Sequence, residues 1–127
     1  MPGRPADRGS AVVDFVLVSP MLVLVGVAVL QLVLALVVKT TLTTAAVEGA
    51  RAAALAGSAP AMGEARVRQV LAGTVAEPSL IAVNVHPERE DGVPVMAARI
   101  EYRLPFLGLI APVTLTVDGH VLIEGVA

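Results

Sequence analysis

Residues 15–38 read FVLVSPMLVLVGVAVLQLVLALVV, and these 24 residues contain no charged side chain. As a helix they span about 36 Å, which is enough to cross a hydrocarbon core of roughly 30 Å. The apolar core of a secretory signal peptide is shorter, about 7–15 residues, and small residues at a cleavage site follow it. Here Lys39 follows directly. The stretch therefore predicts a retained transmembrane helix, which Pro20 is expected to bend or loosen.

The composition of the whole chain excludes several classes of protein. The 127 residues are 56% hydrophobic, with a mean hydropathy of +0.81, a net charge of −2, no cysteine and only three aromatic residues. The apolar excess excludes an ordinary cytosolic domain, and the lack of basic charge argues against nucleic acid as a partner. Without cysteine, no disulfide or cysteine-based metal site can form.

The composition leaves one membrane segment and one small domain. We expect a leader at 1–9, a transmembrane helix at 10–38 and an extracytoplasmic domain at 39–127 that includes the outer half of the first helix. The short leader carries Arg4 and Arg8 against a single acidic residue, Asp7. This excess of positive charge favours a cytoplasmic N-terminus.

The residues just before the apolar run contain a carboxylate, Asp14, at the edge of the predicted membrane helix. Asp14 is either an interfacial charge near the lipid headgroups or a charge that has a specific partner. The segment RGSAVVDF, residues 8–15, resembles a prepilin processing site, in which a glycine precedes the cut and acidic and aromatic residues stand fifth and sixth after it. Cleavage after Gly9 would make Ser10 the new N-terminus, with Asp14 fifth and Phe15 sixth. The Asp14 carboxylate could then neutralise the new α-amine of a neighbouring subunit, since either charge alone is costly to desolvate.

The resemblance extends to a family. The stretches RGSAVVDFVLVSP (residues 8–20) and AAVEGARAAALA (residues 45–56) resemble the TadE-like family, pseudopilins or minor pilins of the tight-adherence (Flp, type IVc) pilus system. Asp14 departs from the pattern, where glutamate is usual. The resemblance implies a subunit cut by a prepilin peptidase in the inner membrane. It also implies partners: other pilin subunits, the peptidase, the membrane assembly platform and the lipid bilayer.

Beyond the membrane the first helix is expected to continue to Ala56, because no helix breaker intervenes before Gly57. A stripe of small residues that includes Ala45, Gly49 and Ala53 runs along it, beside a polar stripe with Glu48 and Arg51. Small residues let another backbone approach closely. The stripe is either a surface on which helices of different subunits assemble or the surface on which the C-terminal domain of the same chain packs.

The remaining sequence predicts an α+β domain of pilin-like architecture, with a second helix at about 60–76 and a three-stranded antiparallel sheet. Alternation of apolar residues marks strands around 81–85, 96–104 and 113–123, and the polar segment 86–94 is expected to be a loop. Asp118-Gly119 is a common hairpin signal. However, Val117 and Val121 keep the same phase on either side of it, which predicts one continuous strand with Gly119 at a bulge or a close contact.

No pattern for chemistry is found. The two histidines, His86 and His120, lack zinc-site spacing, Ser79, His86 and Asp91 lack the sequence context of a catalytic triad, and the acidic residues of 86–94 lack an EF-hand pattern. We therefore expect no enzyme, no cofactor and no metal. The apolar loop 105–112 is either a cover for the small core or a contact surface, in which Phe106, Leu107 and Ile110 touch a neighbouring pilin or the outer leaflet.

The resemblance to the TadE-like family implies a pilin-like assembly subunit of a tight-adherence pilus or a related secretion apparatus. The alternative from another class is an uncleaved, single-pass membrane anchor that carries a small binding module.

Overall fold

A computed structural model describes residues 5–57, 59–104 and 113–123. Helix α1 spans Pro5–Leu55, helix α2 spans Pro60–Leu71, and a 3-10 turn at Glu77–Ser79 leads into the strands. The strands are β1 (Leu80–Glu90), β2 (Val93–Arg103) and β3 (Thr114–Leu122), which form an antiparallel sheet in the order β1-β2-β3. This confirms the predicted α+β fold with a long helix, a short helix and three strands.

The chain divides into two compact units, Met1–Val33 and Leu34–Ala127. Within the first unit, α1 begins at Pro5 and not at the predicted Ser10. A proline is well tolerated in the first turn of a helix because its missing N–H is not needed there. The helix continues through Pro20.

In the second unit, α1 ends at Leu55, one residue before the predicted end. Gly57 follows with φ of +72°, the left-handed conformation that glycine adopts without steric cost after a helix.

The core of the second unit joins α1 and α2 to one face of the sheet. Tyr102, Leu42, Leu71 and Met96 are its largest fully buried side chains. In β2 the predicted alternation is confirmed from Ala98 onward, since Ala98, Ile100 and Tyr102 are buried and Arg99, Glu101 and Arg103 are exposed. Before Ala98, residues on both faces are buried. In β1 the alternation starts later than expected, because a register shift between Leu80 and Ala82 leaves Ile81 about half exposed.

The predicted loop at 86–94 is wrong. The first strand continues to Glu90 and the second begins at Val93, so only Asp91 and Gly92 form the turn. Both residues have positive φ, 51° and 82°, as a tight two-residue hairpin requires. The charged residues that indicated a loop instead occupy an edge strand, where their side chains remain exposed.

The second helix is shorter than predicted and ends at Leu71, not near residue 76. Gly73, with φ of +77°, follows it. The Thr74 hydroxyl donates a 2.7 Å hydrogen bond to the Leu71 carbonyl, and the Gly73 N–H donates one of 2.7 Å to Glu77. These bonds give partners to backbone groups at the end of α2, so the chain turns away there and the helix does not continue.

The third strand is continuous through Asp118-Gly119, as predicted. The register with β2 runs without a shift from Thr114 to Leu122, so Gly119 is not at a bulge. A Cβ built on Gly119 would lie 2.7 Å from the Val47 nitrogen and 2.8 Å from the Ala46 carbonyl carbon of α1. Glycine is required here because the strand crosses the helix backbone at close range.

Candidate functional site

The predicted processing residues, together with two of the predicted assembly residues, lie near the start of α1. Gly9, Ser10, Asp14 and Phe15 are all helical and all exposed, and Phe15 is 72% exposed. A side chain at Gly9 would meet no atom within 4 Å. Asp14 lies five residues after Gly9, a rise of about 7.5 Å along a helix. The segment therefore presents a glycine, a carboxylate and an aromatic ring, none of them engaged by the described remainder of the chain.

The rest of the first unit has an exposed apolar surface. Leu22, Leu24 and Leu30 are 66–70% exposed. Among the described residues there is one helix long and apolar enough to cross a membrane, and its apolar window is almost entirely unburied. A surface of this extent is stable only when lipid or other apolar helices cover it.

The small-residue stripe is placed in the core of the second unit. Ala45 and Ala53 are fully buried, and Gly49 is buried against α2. A Cβ on Gly49 would clash with the Val67 side chain and would lie 2.9 Å from the Gly63 carbonyl oxygen. Among the described residues, the stripe therefore packs against the small domain of its own chain, which is the second of the two alternatives.

The polar stripe beside it links α1 to α2. One Glu48 carboxylate oxygen lies 3.6 Å from Arg51 on the same helix, and the other lies 3.6 Å from Arg66 of α2. These side chains are partly exposed, so each pair adds little to stability on its own. Glu48 therefore lies between a cation of α1 and a cation of α2.

The outer face of the sheet carries a cluster that the sequence reasoning missed. His86 and Glu88 of β1 and His120 of β3 lie on this face, and Ala97 of β2 pairs with both histidines between them. The Glu88 Oε2 atom lies 3.6 Å from His86 Nε2 and 3.9 Å from His120 Nε2. The available signal was the spacing His-x-Glu, which alternation places on one face of a strand once 86–90 is taken as extended.

A second polar pair lies next to this cluster on the same face. Arg99 Nε donates a 2.9 Å hydrogen bond to the Asp118 carboxylate. This bond, together with the negative charge of Asp118, raises the pKa of the Arg99 guanidinium above its ordinary value. Both side chains are about half exposed, so the pair defines the charge pattern of the face more than it stabilises the fold.

The other residues considered for chemistry are not brought together. Ser79 ends the 3-10 turn before β1, whereas His86 lies in the middle of that strand, six extended residues beyond Leu80, or about 20 Å at 3.3 Å per residue. Within residues 5–57, 59–104 and 113–123, no group of three His, Cys, Asp or Glu side chains could hold a metal ion. The predicted contact residues Phe106, Leu107 and Ile110 lie outside the described residues.

The comparison with protein families concerns the first helix. Residues 9–51 match the model of the TadE-like protein family. The TadE-like segment, residues 9–51, begins at the glycine of the suspected processing site and includes the exposed apolar helix. This confirms the resemblance seen in the sequence and indicates a pilus-associated protein of the tight-adherence system, anchored in a membrane by its apolar helix. The TadE-like family is a structural, pilus-associated family. No curated protein and no solved structure matches the chain.

Proposed function

We propose that this protein is a pseudopilin or minor pilin that a prepilin peptidase cuts after Gly9. In this proposal it takes part in building a tight-adherence pilus or a related secretion apparatus. It is a single-pass protein of the inner membrane, with residues 1–9 in the cytoplasm and the domain at 39–127 outside. Its partners are other pilin subunits, the peptidase, the assembly platform and lipid.

This proposal depends mainly on one observation, that the TadE-like segment begins at Gly9. The family match starts at Gly9 and runs without a break through the carboxylate at Asp14 and the apolar helix. A membrane anchor that is never processed needs neither the glycine nor the carboxylate. The proposal accounts for both residues with one event, since cleavage at Gly9 creates the amine that Asp14 can neutralise.

The surroundings of Gly9 support cleavage there. The space around it is open, and a peptidase has to unwind the helix locally before it can cut. Glycine costs about 1 kcal/mol more than alanine inside a helix. The turn around Gly9 therefore opens more readily than its alanine- and valine-rich neighbours.

The exposed side chains of Asp14 and Phe15 support a role in assembly. When helices of neighbouring subunits stack, a new α-amine at Ser10 and the carboxylate of Asp14 would both leave water. Paired, they cost far less than either charge alone. Phe15 would pack its exposed ring beside the pair and exclude water from it.

The test of processing is the N-terminal sequence and intact mass of the protein isolated from its native membranes. We expect the wild-type chain to begin at Ser10. We expect Gly9→Val to keep its leader, because a branched side chain next to the cut hinders the peptidase. Gly26→Val is the matched control, since this glycine also lies in α1 with open space around it, and it should still begin at Ser10. A wild-type chain that retains Arg4 and Arg8 would refute the proposal and favour the uncleaved binding module.

The test of assembly uses substitutions at Asp14 and counts pili by electron microscopy. Asp14→Ala should still be cleaved to begin at Ser10, yet it should reduce the number of pili because the amine of the neighbour loses its partner. Asp14→Glu keeps the charge and should restore assembly. Normal pilus numbers in Asp14→Ala would show that this carboxylate is an ordinary interfacial charge.

A further inference from the structure

We propose that the transmembrane helices of two copies of this chain pair in the membrane through their Gln31 side chains. The proposal rests on the membrane anchor that α1 provides, and it does not depend on cleavage at Gly9. It assigns a partner to one face of the apolar helix, which the proposed pilus function leaves without a specific contact.

Gln31 carries the amide group of an otherwise apolar run. Residues 15–38 contain one other polar side chain, Ser19. A serine hydroxyl can donate to a carbonyl of its own helix, but a glutamine amide has two N–H donors and an acceptor, which one helix does not satisfy. Within the described residues, the side-chain hydrogen bonds along α1 are made by three threonines beyond the run, Thr41, Thr43 and Thr44. The Gln31 amide therefore calls for a partner from another helix.

Gln31 lies too deep in the membrane for water to supply that partner. It follows Asp14 by seventeen residues and precedes Lys39 by eight, which are rises of about 25 and 12 Å along a helix. These two charges stand at the ends of the apolar segment and hold it across the hydrocarbon core. A long lysine or arginine side chain near a helix end can reach the interface, but the shorter glutamine side chain cannot do so from this depth. An unbonded polar group is costly in hydrocarbon, because no water replaces the missing hydrogen bond.

A second copy of the chain provides a partner with matching chemistry at the same depth. Two copies inserted in the same direction are held by the same end charges, so their Gln31 side chains lie at one level. A carboxamide both donates and accepts. Two of them can therefore form a pair of hydrogen bonds, in which the N–H of each donates to the oxygen of the other. A helix of another protein offers such a group only if its own sequence places one at this level.

The surface around Gln31 allows a second helix to approach. On a helix that turns about 100° per residue, Leu24 lies within about 20° of Gln31 and Val27 within about 40°. Leu24 is 70% exposed and Val27 is 44% exposed, and Ala28, one turn before Gln31, is also exposed. The seven-residue spacing of Leu24 and Gln31 is typical of two helices packed side by side. The small side chain of Ala28 lets the two backbones approach closely.

The first experiment asks which face of the helix meets a second copy. The chain contains no cysteine, so a single introduced cysteine can be oxidised in isolated native membranes and the products weighed. We expect Leu24→Cys to form disulfide-linked dimers of twice the chain mass. Leu22→Cys is the matched control, because Leu22 is nearly as exposed, 66% against 70%, but lies about 180° from Gln31 on the helix. It should remain monomeric.

The second experiment measures dimerisation of the purified full-length chain in detergent by sedimentation equilibrium. Gln31→Leu should raise the dissociation constant of the dimer roughly threefold to thirtyfold, the range expected for lost hydrogen bonds between membrane helices. This variant still inserts, because leucine is more favourable than glutamine in the membrane. Gln31→Asn keeps the carboxamide and should dimerise more tightly than Gln31→Leu. Ser19→Ala removes the other polar side chain of the run and should leave the dissociation constant unchanged.

Several results would overturn the proposal. These are a chain that stays monomeric, equal cross-linking through Leu22→Cys and Leu24→Cys, and a dissociation constant that Gln31→Leu does not change. A cross-linked product of any other mass would assign this face to a different subunit and would also overturn it. Each result is independent of the N-terminal sequence that tests cleavage at Gly9, because chains with or without residues 1–9 contain the same apolar helix.

Discussion

The close crossing of β3 and α1 at Gly119 gives the sharpest prediction. We expect Gly119→Ala to destabilise the small domain although it adds a single methyl group. The added carbon would lie 2.7 Å from the Val47 nitrogen, 2.8 Å from the Ala46 carbonyl carbon and 3.0 Å from the Ala46 side chain. Two of these atoms belong to the backbone of a helix, which cannot move aside as a flexible side chain can.

The magnitude follows from two opposing effects. Forcing an extra methyl group into a well-packed core costs about 1–3 kcal/mol, and backbone neighbours place this case near the upper end. Replacing glycine in a strand recovers roughly 0.5–1 kcal/mol of conformational entropy. The net loss is about 2 kcal/mol in the free energy of unfolding. For a domain of this size that lowers the unfolding midpoint by roughly 8–16 °C.

The assay uses Tyr102, the single tyrosine in a chain without tryptophan. Its ring is buried in the core of the small domain, so its fluorescence reports unfolding of that domain and not of the membrane helix. Gly26→Ala is the matched control, because the same change there meets no atom within 4 Å and should leave the midpoint unchanged. A Gly119→Ala midpoint within about 2 °C of wild type would refute the close crossing.

Two further predictions test the core. Leu42→Ala truncates a fully buried side chain of α1 and should lower the free energy of unfolding by about 2–5 kcal/mol. Leu55→Ala is the control on the same helix, because this side chain is 78% exposed and its loss should cost less than about 0.5 kcal/mol. Equal effects of the two substitutions in thermal unfolding would contradict the packing of α1 in this domain. Burial raises the pKa of the Tyr102 hydroxyl above its ordinary value of 10.0. Because the hydroxyl ionises at a lower pH in the unfolded chain than in the folded one, the stability that Tyr102 contributes is intact below about pH 10. This contribution is lost as the pH rises through the higher pKa of the folded state. Phenolate absorbance should titrate above pH 10, and titration at the value of a free tyrosine would show that the ring is solvated.

Two identical dipeptides show what local sequence can and cannot decide. Asp91-Gly92 forms the hairpin turn, with positive φ at both residues, while Asp118-Gly119 lies inside a strand. The apolar phase on either side of Gly119 correctly excluded a turn there. The turn at Asp91-Gly92 was missed, because the charges around it are typical of a loop and only pairing with β2 shows that they lie on an edge strand.

The sequence by itself determined the long apolar helix, the resemblance of residues 8–56 to the TadE-like family and the presence of three strands, because a 24-residue apolar run favours a helix and alternation of apolar residues favours a strand. Tertiary structure decided three other features: the burial of Gly49 against α2, the close approach at Gly119, and the cluster of His86, Glu88 and His120. Each depends on which residues from distant parts of the chain face one another. Distances of this kind are set by strand register and helix packing, and no local pattern encodes them.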